Sequence, residues 1–328
     1  MKRRALLIAS ASGALVRPSL GRAQEKIRRV AVLVSTGEQD PEGQARINGL
    51  RESLTSLGWI EGRNIHLDVK FGAGDARRIR DYVSAFVADA PDLIVVNSTP
   101  ALDEVYHATR TIPVVFMLAV DPVGLGYIKS LARPGGNITG FTFWDVTLIG
   151  KWLQLLKEAV PTTERATFIH HPVNTPYYPS ILQAAESLPG LPKIKLARVE
   201  LREPSDITSA IRLIAQDPGA SLVAPSDPFL LQHRALVAAA ALAAKLPMIS
   251  IFRSYADAGA LMTFGPDTVN IYRQTATYVD RILKGAQPGD LPAQAPTKYE
   301  FAVNTGTARK LGVTLPPLIL ARADEVIE

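Results

Sequence analysis

Leu93-Ile94-Val95-Val96-Asn97-Ser98-Thr99-Pro100 carries the plan of the whole chain. Four apolar residues, three of them β-branched, read as a buried strand. A short polar link follows, then Thr99 as an N-cap and Pro100 at the first helical position, where its missing N–H costs nothing. The unit recurs. Val114-Val115-Phe116-Met117 leads to Asp121-Pro122, and Leu222-Val223-Ala224 leads to Asp227-Pro228. Val30-Ala31-Val32-Leu33-Val34 reaches Asp40-Pro41 after a longer loop. Each unit is strand, tight loop, capped helix. A parallel sheet built from such units gathers its helix N-termini at the carboxyl edge of the strands, the edge where open α/β sheets bind ligands.

Working outward, the pattern forms two runs. The first takes strands at 29–34, 65–71, 92–96, 113–118 and 139–143, with helices at 41–57, 75–88 and 100–109 and a short one at 124–132. The strand at 65–71 alternates polar and apolar residues and reads as an edge. The second begins with a helix at 147–160 and a strand at 165–170. Helices follow at 180–188, 205–216 and 228–245, and strands at 194–199, 220–224, 247–251 and 260–264. After Gly265-Pro266-Asp267 a helix with Tyr272, Ala276, Val279 and Leu283 in register ends at Gly285. A proline-rich stretch, 288–296, precedes a last strand at 299–303. One helix and one strand are too little for a third domain, so the chain crosses back to complete the first unit and returns. The expected fold is α/β: two Rossmann-like, doubly wound lobes with mainly parallel sheets, joined by three crossovers near Trp144, Pro266 and Pro296. Lobe 1 takes residues 27–143 and 266–298; lobe 2 takes 144–265 and 299–328. Three strands at a waist allow bending and restrain twisting, which suits a clamp on a small molecule.

Composition narrows the class. The chain has 328 residues, long enough for two cores. Hydrophobic residues make up 47% and charged residues 20%, as in ordinary globular proteins. The net charge is +5, but Lys2, Arg3, Arg4, Arg17 and Arg22 are the only charged residues among the first 23. Without them 31 basic residues face 31 acidic ones, which leaves no basic footprint for nucleic acid. Those first 23 residues have a signal peptide's parts: a basic start, an apolar stretch at 5–16, and small residues in Gly21-Arg22-Ala23. Arg3-Arg4 suits either Sec or twin-arginine export. With no cysteine there is no disulfide, no catalytic thiol and no site for a lipid anchor. The expected location is the periplasm.

Candidate ligand-binding residues sit at the strand ends. Ser35, Thr36, Ser98 and Thr99 offer hydroxyls and backbone N–H groups to an anion, although capping alone would explain Thr99. Asp121 and Asp227 can cap, accept hydrogen bonds from a ligand ammonium or hydroxyl, or both. Asp227 is the stronger ligand candidate, being on the lobe that must close. Trp144, Phe229, Phe252 and Tyr255 could stack on a planar ligand or pack the hinge. Arg253 could pair with a carboxylate or be a solvated residue at a helix start, and Asn174 could reach into the cleft. The five histidines, His66, His107, His170, His171 and His233, lack the spacing of a zinc helix, so no metal or other cofactor is expected. There is no nucleophile elbow, phosphate loop or dinucleotide fingerprint.

Several segments, in order, resemble a known family. Leu57-Gly58-Trp59-Ile60-Glu61-Gly62-Arg63-Asn64-Ile65 is similar to a recurring segment of ABC-transporter substrate-binding proteins of the tryptophan/tyrosine-binding branch. So are Asp121-Pro122-Val123-Gly124-Leu125-Gly126, Leu131-Ala132-Arg133-Pro134-Gly135-Gly136-Asn137-Ile138-Thr139-Gly140, Asp227-Pro228-Phe229, Leu283-Lys284-Gly285-Ala286, Pro296-Thr297-Lys298-Tyr299-Glu300-Phe301 and the terminal Arg322-Ala323-Asp324-Glu325-Val326-Ile327-Glu328. The resemblance implies a type I periplasmic-binding-protein fold, a monomer, and delivery of a small, amino-acid-like or planar ligand to an inner-membrane permease. Two places depart from it. Members that hold aromatic amino acids often carry Asp-Asn-Thr where this chain has Asp227-Pro228-Phe229, and Trp-Asn-Pro where it has His170-His171-Pro172. The alternatives are a sensory clamp for a membrane receptor and an exported α/β enzyme using Asp121 and Asp227 as an acid/base pair.

Overall fold

The computed structural model describes residues 27–328; the expected leader, 1–23, lies outside them. In chain order the first lobe contains β1 (Arg28–Val34), α1 (Pro41–Ser56), β2 (Ile65–Phe71), α2 (Ala76–Asp89), β3 (Leu93–Asn97), α3 (Thr99–Ala108), β4 (Val114–Ala119) and β5 (Ile138–Thr142). The second continues with α4 (Thr147–Ala159), β6 (Arg165–His170), α5 (Tyr178–Glu186), β7 (Lys195–Glu200), α6 (Pro204–Ile214), β8 (Ala220–Ala224), α7 (Pro228–Gln232), α8 (Arg234–Ala243), β9 (Met248–Ser250), α9 (Ser254–Asp257) and β10 (Met262–Pro266). Then come α10 (Thr268–Leu283), β11 (Tyr299–Asn304), α11 (Thr305–Leu311), α12 (Pro317–Arg322) and β12 (Glu325–Ile327).

The strands form two sheets, β2-β1-β3-β4-β5 and β12-β11-β10-β9-β8-β6-β7. The first is parallel throughout; the second is parallel except where β11 runs against β10, with Met262 opposite Val303. The apolar runs are buried on both faces, as parallel strands between helices require. The edge strand β2 keeps its alternation, with Ile65 buried and His66 exposed. Gly140 shows why β4 and β5 can sit so close: a Cβ there would lie 2.0 Å from Phe116 O.

Three crossovers join the lobes. The chain leaves β5 for α4, and it leaves β10 for α10, which packs on α1 in the first lobe. It then runs beside β5, where Thr142 N–H donates to Gln294 O at 2.8 Å and Gln294 N–H donates to Gly140 O at 2.9 Å, and returns to β11. The architecture is the two-lobed α/β clamp read from the strand–cap pattern.

Some elements differ from expectation. Residues 124–132 form turns and no helix; Asp121 stands at φ 43° and Gly126 at φ 79°, and both break helical winding. The helix expected over 228–245 divides at His233, whose φ of −104° lies outside helical values. Ser98, not Thr99, is the N-cap of α3. Pro266, placed at the start of the return to lobe 1, is the last residue of β10. After β11 two helices and the three-residue β12 follow, an edge strand too short to show periodicity.

Candidate ligand-binding site between the lobes

The carboxyl ends of the two sheets face and touch each other. Asn174, after β6, donates from Nδ2 to Gly74 O at 3.0 Å in the loop after β2. Gly37 N–H donates to Gln232 Oε1 at 3.0 Å. Arg234 pairs with Asp40, and Ser254 donates to Glu42. The Arg46 guanidinium lies 5.3 Å from the centre of the Phe252 ring. Gly74 marks the tightest approach: at φ 71°, an added Cβ would stand 2.6 Å from Pro228 O. This is a closed clamp.

Along that seam the first lobe contributes polar groups from adjacent strand ends. Ser35 N–H donates to Asn97 Oδ1 at 3.2 Å, and the Ser35 hydroxyl donates to the same oxygen. With Oδ1 so used, Asn97 presents Nδ2, which has no partner among the described residues. Ser98 has φ 91°, a conformation a non-glycine residue holds only when its surroundings impose it. Its N–H donates to Met117 O at 3.0 Å, yet its hydroxyl neither caps α3 nor finds any other partner among the described residues. Thr36 Oγ1 is also unpartnered, set against Gly43 of α1. Thr36, Asn97 and Ser98 are each more than nine-tenths buried. Thr99 Oγ1 accepts from Val120 N–H at 2.9 Å and so joins two strand ends.

Lobe 2 contributes Asn174, whose N–H donates to His171 Nδ1 at 3.2 Å and whose Oδ1 is buried without a partner. Because His171 Nδ1 accepts, its ring proton is on Nε2. Phe229 lies between His171 and His233, with ring centres 5.0 and 4.9 Å away. Asp227 takes up one of the roles expected of it, the N-cap of α7. Its Oδ1 accepts from Phe229 N–H at 2.8 Å and Leu230 N–H at 3.3 Å; its Oδ2 accepts from His171 N–H at 2.7 Å and the Thr175 hydroxyl at 3.0 Å. All four acceptor positions are used inside the lobe. Burial pushes its carboxyl upward, and the hydrogen bonds from His171, Leu230 and Thr175 oppose that shift. Burial also lowers the pKa of the neighbouring His170.

The remaining candidates stand apart from that polar group, although Asp121, Trp144 and Arg253 line cavities along the seam. Asp121 is exposed and accepts from Gly124 N–H at 2.9 Å, closing a turn. Trp144 is buried against Trp152 and Tyr178, at 5.4 and 6.2 Å, with its Nε1 unpartnered. Phe252 stacks on Phe143 at 5.3 Å across the waist. Tyr255 is wholly buried in lobe 2, donating to Leu230 O at 2.7 Å. Arg253 spends its guanidinium on Glu325 and Asp257. Tyr255 therefore does not join the unpartnered group, and Arg253 Nη1 meets Asp257 only as an ion pair at 2.9 Å. Sequence reasoning missed Asn97, Tyr177, Gln232, Arg234 and Arg46. Arg46 had a signal: it falls on the stripe of Leu50 and Leu54, four and eight residues on, and is fully buried with Glu42 as counter-ion.

Three cavities follow the seam. One of about 950 Å³ has mainly apolar walls, including Val120, Trp144, Ile181 and Tyr299. One of about 850 Å³ is charged, with Asp40, Glu42, Arg234 and Arg253. The third, about 260 Å³, lies at the first turn of α3, with Thr99, Asn174 and Tyr177 on its wall. Among the described residues no group of three or more His, Asp or Glu side chains is placed to hold a metal ion, and no helix is long and apolar enough to cross a membrane.

Comparison with known proteins matches this geometry to a family. Residues 29–327 match the model of the ABC transporter substrate binding protein family. A tyrosine-binding protein of Clostridioides difficile is 28% identical over 266 residues, covering 80% of this chain and 75% of that protein. The crystal structure of a conserved domain protein from Vibrio cholerae is 30% identical, covers 92% of this chain and 100% of its own, and superposes with a TM-score of 0.84. An ABC domain from Streptococcus pneumonia in complex with L-Trp shares the fold at 21% identity, with a TM-score of 0.81 over 92% of this chain and 100% of that one. The chain belongs to the ABC transporter substrate binding protein family, a family of binding proteins.

Proposed function

We propose that this family member is the soluble solute-binding component of an ABC importer. It is exported on residues 1–23, works in the periplasm as a monomer, and carries a small amino-acid-like or planar ligand to an inner-membrane permease without transforming it. One observation carries the ligand-binding part: Thr36 Oγ1, Asn97 Nδ2, Ser98 Oγ and Asn174 Oδ1 come from facing strand ends of both lobes and are buried without partners among the described residues. A buried polar atom without a hydrogen bond costs about 1–3 kcal/mol, so a cluster on one seam persists for a ligand that supplies the missing bonds. The expected export signal, the absence of cysteine, a relative named as a tyrosine-binding protein and a structural neighbour in complex with L-Trp support the wider reading.

Closure works by population shift. The open clamp samples the closed form, and a ligand that bonds both lobes stabilises it by its differential affinity. The permease then meets a surface made by both lobes together. The test is gentle denaturation of the purified mature protein with mass spectrometry of what it releases, followed by calorimetry with each released compound and with aromatic amino acids, purines and small carboxylates. A small molecule that binds one to one is the expected result. Correctly folded protein that binds nothing across that panel would overturn the assignment.

A further inference from the structure

The room along the seam also limits the chemistry of the ligand, if the binding role proposed above holds. Of Thr36, Asn97, Ser98 and Asn174, only Asn174 stands on the wall of one of the three cavities, the small one at the first turn of α3. Its Nδ2 is turned to Gly74 O, so the atom left for an occupant is Oδ1, an acceptor, on a residue only 1% exposed. The same wall holds Asp103 and Glu104 of α3. The Asp103 carboxylate is reached by the Tyr127 hydroxyl at 2.9 Å and by the exposed His107 imidazole at 3.5 Å. Both contacts fall on Oδ1, which leaves Oδ2 open among the described residues.

The charge around this space is one-sided. Leu125, Pro176 and Tyr177 line both the small cavity and the wide apolar one, so the two adjoin. Among the described residues their walls carry four carboxylates, Asp103, Glu104, Asp121 and Asp145, and a single basic side chain, Arg80. Arg80 is already paired, its Nε donating to Glu104 Oε1 at 3.2 Å. A cleft lined by one sign of charge between low-dielectric walls gathers the opposite sign. A carboxylate brought here would meet no unpaired cation, whereas an ammonium meets Asp103 Oδ2 and Asn174 Oδ1. The wide cavity adds apolar surface: Val123, Leu131 and Tyr299 on its wall are 38–39% exposed, beside the buried Trp144.

We infer that the ligand is a small amine with an apolar, planar body and no carboxylate: its ammonium sits in the small cavity between Asp103 of α3 and Asn174 of the closing lobe, and its body lies in the wide cavity beside Trp144, Ile181 and Tyr299. The small cavity, about 260 Å³, suits a compact cationic head, and the wide one, about 950 Å³, suits a ring system. Tyr177, on both walls, supplies an aromatic ring beside the cation. Because Asp103 belongs to lobe 1 and Asn174 to lobe 2, one ammonium ties the lobes together and favours the closed form.

Matched sets test this on the mature protein by calorimetry. Tyramine is compared with L-tyrosine, which adds a carboxylate, and with para-hydroxyphenylpropionate, which has the carboxylate and no ammonium; tryptamine, L-tryptophan and indolepropionate form the second set. The amine of at least one set should bind about tenfold more tightly than its two partners, or better, a difference of about 1.4 kcal/mol. Asp103→Asn, which keeps an acceptor for the Tyr127 hydroxyl, should cost that amine about tenfold with an unchanged unfolding midpoint. Glu104→Gln, which frees the Arg80 charge, should weaken it as well. Equal or tighter binding of the amino acid or the acid would overturn the inference and leave the clamp reading intact. Amine binding that neither variant weakens would do the same, as would binding confined to sugars or purines. No binding by any compound in these sets or the wider panel would instead overturn the clamp reading, and this inference with it.

Discussion

Replacing Asp227 by alanine should unfold lobe 2 more readily before it does anything to a ligand. The carboxylate performs two structural tasks. It caps α7 through Phe229 and Leu230, and it holds the His171 N–H and the Thr175 hydroxyl. Loss of a cap costs about 1 kcal/mol. The stranded amide of His171 adds about 1–3 kcal/mol. Thr175 adds little, because its hydroxyl also reaches His171 O at 2.9 Å. The total is about 2–4 kcal/mol, which at a urea slope near the upper end of the usual range lowers the midpoint by about 1 M. Urea unfolding followed by far-UV dichroism measures it. Asp227→Asn should shift the midpoint the same way by less, since one oxygen survives while the amide faces donors. A midpoint unchanged in Asp227→Ala would refute the reasoning and return Asp227 to the ligand.

Three further outcomes are expected. Gly74→Ala should hold the clamp open, because its Cβ would meet Pro228 O across the seam; a larger radius of gyration by X-ray scattering and a ligand affinity at least about tenfold lower are the signs, and a closed structure of this variant would contradict them. Arg234→Met removes an interlobe ion pair that is only partly exposed, so the closed form loses about 1 kcal/mol and affinity falls about fivefold, with most of the change in the dissociation rate. Burial holds His170 below its ordinary pKa of 6.5, so the unfolded chain takes up a proton at a higher pH than the folded one does. The contribution of neutral His170 to stability is therefore complete above about pH 6.5 and declines as pH falls through the window below it; His170→Gln should flatten that part of the stability–pH curve, and an unchanged slope would count against it.

The fold was legible because its signals are local and repeated. Val30 to Val34, Leu93 to Val96 and Leu222 to Ala224 are strands buried on both faces, and the proline after each cap fixes where the chain turns. The return of α10 to lobe 1 could be argued from economy alone, since one helix and one strand cannot make a domain. The site was legible only as a location. Ser35, Thr36, Ser98, Thr99, Asn174, Asp227 and Phe229 do meet on the seam, but their roles depend on partners far along the chain. Capping and ligand binding ask the same residue types of a strand end, so the sequence left both roles open for Asp227, and the bond from His171, 56 residues earlier, lies beyond any local pattern. Arg253 looked free because Glu325 lies 72 residues away, on the short β12. Arg46 was passed over, although its register with Leu50 placed it inside.

The central claim is that the two lobes close on a ligand held between their strand ends. Because the chain has no cysteine, Gln39→Cys and Ala235→Cys give a unique pair of label sites facing each other across the charged cavity. Pulsed electron paramagnetic resonance would give the distance between spin labels there, with and without the compound from the calorimetry panel that binds. The account predicts a broad or longer distribution in free protein that collapses to one short distance on saturation. A distribution that saturating ligand leaves unchanged would contradict it.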